Sequence, residues 1–268
     1  MNNNIKIAIQ ASLKAGEIIM NIYERDFEVE TKKDNSPLTE ADQKANAAIM
    51  SFLEKTDYPI ISEENKQIDY ATRKQWDTCW IVDPLDGTKE FIKRNGEFTV
   101  NIALVKDGLP KLGVIYVPAT KELYYADVDQ EEAYRVKLLK HSTSLKDINE
   151  YRRSIRPERI EDVTSVKVVG SRSHMSQATL DYMEKLKERG KEVEVVSKGS
   201  SLKFCLVAQG DANIYPRFAP TMEWDTAAGQ AICNALGIDV ISQETQQPML
   251  YNKENLLNPW FIVGNVQV

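Results

Sequence analysis

From residue 166 onward the chain changes its apolar period again and again. Strand-like runs at 166–169, 192–196, 212–215 and 238–241 alternate with helical patterns at 175–189, 200–209 and 225–236. Each such strand has an apolar face to hide and each helix an apolar stripe, so the alternation obliges helices to pack in layers on a sheet. The first half is organised differently. An amphipathic helix over 5–22 aligns Ile5, Ala8, Ile9, Ala15, Ile19 and Ile22, and a second opens at Thr39 with Ala41, Ala45, Ala48, Ile49 and Phe52 on one face. A short strand over 58–61 ends at Ser62-Glu63-Glu64. Phe98–Val105 and Leu112–Val117 flank Lys106-Asp107-Gly108, a hairpin signal, and Leu123–Ala126 extends that meander. Residues 31–38 read as a loop, and 127–162, charged and mixed, as a surface insertion. The pattern gives a layered α+β body, divided into an N-terminal subdomain over 1–165 and a C-terminal one over 166–268.

Within that body the run Trp80-Ile81-Val82-Asp83-Pro84-Leu85-Asp86-Gly87-Thr88 carries the chemistry. An apolar strand delivers two carboxylates, three apart, onto a tight turn, with the Leu85 carbonyl between them. Oxygen ligands at one strand end suit a hard divalent cation such as Mg²⁺. Gly87 and Thr88 follow with backbone N–H groups at a helix start, where an anion is favoured. Asp-Pro and Asp-Gly are also ordinary turn dipeptides, so the run alone leaves a plain turn open. Glu63 and Glu64 close a separate strand and bring a further carboxylate within range, or form a solvated acidic loop. Asp225, before Ala227-Ala228, is an N-cap that can still offer an oxygen to a cation. Asp42 stands three residues after Thr39, as in a capping box, or orients a water near the metals. Gly199-Ser200-Ser201-Leu202-Lys203 opens another helix and offers hydroxyls and an ammonium to an anion. Arg217 is either surface charge or a clamp for a phosphate, and His174 either a plain loop histidine or a substrate contact.

Bulk properties narrow the partners. The chain has 268 residues, 42% hydrophobic and 28% charged, enough to bury a sizeable core. Its net charge of −6 disfavours a nucleic-acid polymer, although a small polyanion is accommodated when cations lie between. Cys79, Cys205 and Cys233 lack metal-type spacing and sit in apolar patterns, so reduced core thiols are expected. No transmembrane run is present in the sequence. A cytoplasmic location is expected, with peripheral attachment to the inner membrane left open, and the protein as monomer or homodimer.

Together these motifs resemble the lithium-sensitive inositol monophosphatase superfamily. Trp80–Thr88 is similar to its first signature and Trp224-Asp225-Thr226-Ala227-Ala228-Gly229 to its second. Ser62-Glu63-Glu64 resembles the element that supplies a metal-binding glutamate, with Ser in place of Gly. Asp34-Asn35-Ser36-Pro37-Leu38-Thr39-Glu40-Ala41-Asp42 resembles the upstream loop and helix start. Lys89-Glu90-Phe91, the run to Leu104, Gly199–Cys205 and Tyr215-Pro216-Arg217-Phe218 are similar to the bacterial 3'(2'),5'-bisphosphate nucleotidase branch.

The resemblance implies a five-layer αβαβα sandwich of the sugar-phosphatase type. It implies two or three Mg²⁺ ions held by Glu63, Asp83, the Leu85 carbonyl, Asp86 and Asp225. Thr88, with Asp42 behind it, and Glu63 would be catalytic. Gly87 and Thr88 amides would hold the phosphate. Ser200, Ser201, Lys203, Arg217 and His174 would meet the nucleotide, with Glu63, Leu85, Asp86 and Asp225 also lining the substrate. The implied reaction removes the 3'-phosphate of adenosine 3',5'-bisphosphate, giving AMP and phosphate. 3'-Phosphoadenosine 5'-phosphosulfate is a further candidate substrate. The same chemistry on inositol phosphate or a sugar bisphosphate, and a metal-dependent binding protein without turnover, stay open at this point.

Overall fold

The computed structural model describes residues 1–31, 37–157, 164–170 and 175–264. The first half begins with helix α1 (Asn3–Tyr23), whose first turn is closed by the Asn2 side chain accepting from the Ile5 amide. A short antiparallel pair, β1 (Val29–Thr31) and β2 (Pro37–Thr39), leads into α2 (Glu40–Leu53). Then follow β3 (Ile60–Ser62), α3 (Tyr70–Arg73), β4 (Thr78–Asp86), α4 (Thr88–Ile92), β5 (Thr99–Lys106), β6 (Leu109–Val117), β7 (Glu122–Asp127), β8 (Glu132–Lys137), α5 (Leu145–Tyr151) and β9 (Arg153–Ser154). Strands β3 to β9 form one seven-stranded sheet in sequence order, parallel at β3–β4 and antiparallel elsewhere. The β5–β6 turn is Asp107-Gly108, with φ of 52° and 75°. Two left-handed residues are what a two-residue hairpin with the right twist requires.

Side chains alternate across this sheet as the period-two pattern demands. Trp80, Val82, Val100, Ile102, Val114 and Tyr116 face α1 and α2. Cys79, Ile81, Ala103, Val105, Ile115 and Tyr124 face the opposite way, into a core shared with the second half.

The second half contains β10 (Ser165–Gly170), α6 (Gln177–Glu188), β11 (Glu192–Ser197), α7 (Leu202–Gln209), β12 (Tyr215–Arg217), α8 (Ala227–Asn234), β13 (Val240–Ser242) and β14 (Phe261–Val263). Strands β10 and β11 pair in parallel, and β12, β14 and β13 pair antiparallel in that order. A parallel bridge between Val168 and Ile214 sets the two groups side by side. Tyr182, Met183 and Leu186 of α6 cover one face through Val166, Val168 and Ile214. Val169, Tyr215, Phe261 and Val263 face α7 and α8 from the other. The layers therefore run α1/α2, large sheet, α7/α8, second sheet, α6, which is the αβαβα order that the family resemblance implies.

Helix α8 sits unusually close to the large sheet. A Cβ on Gly113 of β6 would lie 2.4 Å from the Ala228 carbonyl oxygen and 2.8 Å from the Ala231 Cβ. Only glycine permits that approach, and it fixes the helix that follows Asp225.

Residues 127–157 do not form a surface insertion. Strand β8 extends the large sheet, and Ala133, Val136, Ile148 and Ile155 are buried. Alternation there is partly masked by Arg135, which lies over the Tyr124 ring, and Arg152, which lies over Tyr134. Such side chains bury their stems while keeping charge in water. Residues 158–162 lie outside the described residues. The second-half elements occur in the expected order with shifted ends, and the three-residue strand β14 has no periodic signal of its own.

Candidate active site

The buried strand β4 ends where its ladder with β5 breaks. Asp83 pairs with Asn101, and the next pairing is Asp86 with Thr99, so Pro84 and Leu85 bulge out of register. The Leu85 amide donates to Asp83 Oδ1 at 3.0 Å, closing the turn on the carboxylate that begins it. A bulge re-aims side chains, and here it turns both aspartates towards one point. Asp225 reaches that point from the other half. Carboxylate oxygens of Asp83, Asp86 and Asp225 all lie within 4.8 Å of one another. Glu63 follows β3, the parallel neighbour of β4, and its amide donates to the Val82 carbonyl at 3.2 Å.

Asp225 closes a single 3-10 turn, Glu223–Asp225, ahead of α8. Its Oδ2 accepts from the Met222 amide at 2.8 Å. The capping role expected for it thus falls one turn earlier than anticipated, and Thr226 precedes α8 without a side-chain cap.

Electrostatics mark the cluster. Burial, then the charges of Glu63, Asp86 and Asp225, push the Asp83 carboxyl well above its ordinary range. Burial and then Asp86 push Asp225 up to about 8, with Glu63 adding to the rise and the Met222 amide and Arg217 opposing it. Carboxylates this close and this dry are not all ionised at neutral pH without a cation. The donor set is entirely oxygen, so the residues fit a hard divalent ion rather than a soft one.

Beside the cluster, Asp42 is buried, and its Oδ2 accepts from both the amide and the hydroxyl of Thr39 at 2.7 Å. This is the capping box expected from the sequence. The other oxygen, Oδ1, lies 3.1 Å from the Thr88 hydroxyl, which is also 3.3 Å from the Leu85 carbonyl. One proton serves one acceptor at a time, and the shorter, charged acceptor is favoured. The Leu85 carbonyl, expected as a metal ligand, faces the Thr88 hydroxyl on the turn between Asp83 and Asp86. Gly87 precedes α4 with φ of 92°, and a Cβ there would meet the Glu97 carbonyl at 3.2 Å.

A cavity of about 610 Å³ opens from Asp86 and Asp225. Gly87, Ser200, Ser201, Lys203 and Arg217 line it, whereas Glu63, Leu85 and Thr88, also expected to meet substrate, are not among its lining residues. Asp86 Oδ2 accepts from the Ser200 hydroxyl and the Ser201 amide, both at 2.6 Å. Lys203 donates to the Ser200 carbonyl at 2.9 Å and lies over the Tyr215 ring. Arg217 donates to the Pro220 carbonyl at 3.0 Å, while its buried Nε has no partner among the described residues. His174 lies outside the described residues, as do Asp34, Asn35 and Ser36.

Sequence reasoning singled out none of Lys89, Lys93, Lys198, Glu90 or Glu97 as contacts, yet all line the cavity. Lys89 and Lys93 stand one helical turn apart directly after Gly87-Thr88, a spacing that puts both on one face.

A carboxylate cluster built from a strand-end bulge and the turn before α8, opening onto a cation-lined cavity in an αβαβα body, fits a metal-dependent class of enzyme. The chain belongs to the inositol monophosphatase family, whose model matches residues 1–261. It is 42% identical over 258 residues to the 3'(2'),5'-bisphosphate nucleotidase CysQ of Salmonella typhimurium, covering 95% of this chain and 96% of the relative. Identity to CysQ of Escherichia coli is 42% over 260 residues, covering 95% and 97%. The crystal structure of CysQ from Bacteroides thetaiotaomicron is similar at a TM-score of 0.85 and 51% identity, covering 97% of this chain and 96% of that one. Among the described residues, no helix is long and apolar enough to cross a membrane.

Proposed function

We propose that this protein is a Mg²⁺-dependent 3'(2'),5'-bisphosphate nucleotidase that removes the 3'-phosphate of adenosine 3',5'-bisphosphate to give AMP and phosphate. The observation that carries the reading is the convergence of three aspartates within 4.8 Å at the mouth of a cavity that also holds Lys89, Lys93, Lys198, Lys203 and Arg217. Outside the cluster only Glu90 and Glu97 among the lining residues oppose those five cations. One end of the site thus collects cations and the other receives an anion, as a substrate with two phosphates requires. The cavity is of ordinary size for a small-molecule ligand.

In this reading Glu63, Asp83, the Leu85 carbonyl, Asp86 and Asp225 hold the ions, two or three in number. Bound Mg²⁺ would supply Lewis acidity and offset the charge of the phosphate. The Thr88 hydroxyl, donating to Asp42 Oδ1, keeps its lone pairs for a water proton. Asp42 is the acceptor behind it, so Thr88 orients the attacking water and the pair draws on its proton. Backbone amides of Gly87 and Thr88, at the start of α4, bind the transferred phosphate. Ser200, Ser201, Lys203 and Arg217 bind the remainder of the nucleotide. Uncatalysed phosphate-monoester hydrolysis is among the slowest of reactions, so fixed charges must supply most of roughly 20 kcal/mol.

A panel of phosphate-release assays with and without Mg²⁺ tests the reading. Adenosine 3',5'-bisphosphate, 3'-phosphoadenosine 5'-phosphosulfate, inositol 1-phosphate and a sugar bisphosphate are compared. The expected result is Mg²⁺-dependent release with the highest kcat/KM on the adenosine bisphosphate. Faster release from inositol phosphate would replace the nucleotide assignment, and no release from any ester would end the phosphatase reading.

A further inference from the structure

Strand β5 carries two polar residues where a strand of this kind has least use for them. Thr99 and Asn101 are 0% and 1% exposed, and both lie on the strand face that continues through Ala103 and Val105 into the core between the sheets. Buried polar side chains are costly unless bonded, so their partners say what they are for. Thr99 Oγ1 lies 2.6 Å from Ser200 Oγ and 2.7 Å from Ser201 Oγ, and 2.9 Å from Asn101 Oδ1. Asn101 Oδ1 accepts from Ser201 Oγ at 2.7 Å, and Asn101 Nδ2 donates to Asp86 Oδ2 at 3.3 Å. Among the described residues, and apart from each other, the two side chains bond to Asp86 and to the turn that enters α7.

That turn is held in a costly shape. Ser200 has φ of 52°, a left-handed conformation that costs a non-glycine residue free energy and that its bonds here hold in place. The enforcing groups are Thr99 and Asn101 from below and Asp86 from the front. Gly199 is tied on its other side, its amide donating to Glu97 Oε2 at 2.8 Å. Asp86 Oδ2 in turn receives three donors, from Ser200, Ser201 and Asn101. Three donors fill that oxygen, leaving Oδ1 as the face of Asp86 open to a cation.

We infer that Thr99 is a positioning residue which sets the Gly199–Ser201 turn, and with it the substrate-facing wall of the cavity, against the carboxylate cluster, and that Asn101 does the same for Asp86. The inference rests on the phosphatase reading above and adds to it the means by which two halves of the chain share one site. Thr99 touches the wall residues and not the carboxylates. Its loss therefore weakens binding of esters that reach the wall and spares small esters that engage only the cluster.

The test is Thr99→Val, which keeps the shape and removes the hydroxyl, with Thr99→Ser as the conservative rescue. Steady-state constants are measured on adenosine 3',5'-bisphosphate and on p-nitrophenyl phosphate. Removing a hydroxyl whose one proton bridges strand β5 and the turn raises KM for the nucleotide about tenfold in Thr99→Val, with KM for the small ester changed by less than about twofold. Thr99→Ser restores the nucleotide KM. Thermal-shift titration with Mg²⁺ in the absence of any ester gives the same midpoint in Thr99→Val as in the natural protein. An unchanged nucleotide KM overturns the inference, and so does an equal loss on both esters or a shifted Mg²⁺ midpoint, since each would make Thr99 merely structural. If the natural protein prefers another phosphate ester, the nucleotide assignment fails. The Thr99→Val to natural-protein comparison, run on the preferred ester, still decides the positioning role.

Discussion

Replacing Asp225 with asparagine should make the metal-free protein more stable while ending its activity. Asp225 is held up to about 8 by burial and by the nearby charges of Asp86 and Glu63. An isolated aspartate loses its proton near about 3.9, and each tenfold gain in proton affinity is worth about 1.36 kcal/mol. At pH 7 the folded group therefore stays largely protonated, and forgoing the ionisation open to the unfolded chain costs at most about 4 kcal/mol. Proton sharing with Asp83 lowers the realised figure, and a gain of about 1–3 kcal/mol is expected for Asp225→Asn. The amide keeps the bond from the Met222 amide through its oxygen and turns a donor towards its acidic neighbours. The sign fixes the pH window. A carboxyl whose folded value is raised destabilises the fold progressively as pH climbs from about 4 to about 8. Urea unfolding in chelator should show the gain at pH 7 shrinking towards zero near pH 4. With Mg²⁺ at a hundredfold excess over Kd the natural protein gains about 2.7 kcal/mol, which closes or reverses the gap if the variant lacks one of the proposed ligands. If Asp225→Asn is less stable than the natural protein in chelator at pH 7, the carboxylates are not in conflict and the argument for a cation fails.

Two further outcomes follow from packing. Gly113→Ala drives a Cβ to within 2.4 Å of the Ala228 carbonyl and pushes α8 off the sheet, at a cost of about 1–3 kcal/mol by thermal unfolding. Because α8 directly follows Asp225, kcat should fall as well; full activity in a destabilised variant would show that the helix does not set that ligand. All three cysteines are buried, and burial pushes Cys79 up to about 12 and raises Cys205 and Cys233. A thiol reagent at pH 8 should find none in the folded protein and three in urea; rapid labelling of the folded protein would contradict the burial.

Local chemistry was the legible part of the sequence. The capping box at Thr39 and Asp42, the Asp107-Gly108 hairpin and the apolar run into Asp83 each depend on neighbours a few residues away. Asp83 and Asp86 lie on one turn, so their convergence needed only that turn. The meeting of Asp225 with them, and the nearness of the Glu63 charge, depend on how the layers stack, and only the family resemblance pointed to them. Thr99 and Asn101 escaped notice because in a strand their period is that of any core residue, and only the partners across the layer reveal their use. The role of 127–157 was obscured by charged side chains lying over tyrosines at the sheet edge.

A cluster of mutually repelling carboxylates persists only where the surrounding structure fixes it more firmly than it repels. Here the fixing is visible on each side. Glu223, fully buried beside Asp225, accepts from the Asn252 and Lys253 amides at 2.6 and 3.0 Å and from the Lys253 ammonium at 2.6 Å. Asn258 Nδ2 donates to the Met222 carbonyl at 2.7 Å from behind the same turn. Arg73, buried in α3, ties down the loop that supplies those donors through Asn252 Oδ1 and the Lys253 and Glu254 carbonyls. A buried acid with this many donors is strongly oriented, and removing its partners would leave an unpaired charge in the core. The 3-10 turn is thus clamped at its first residue so that its third can sit where burial and charge oppose it. On the other side β4 is held between β3 and β5 in the large sheet, and its bulge is closed by the Asp83 carboxylate itself. Stability is placed in the frame and withheld from the site, and the opposition left among Asp83, Asp86 and Asp225 is relieved by whatever cation the cluster takes up.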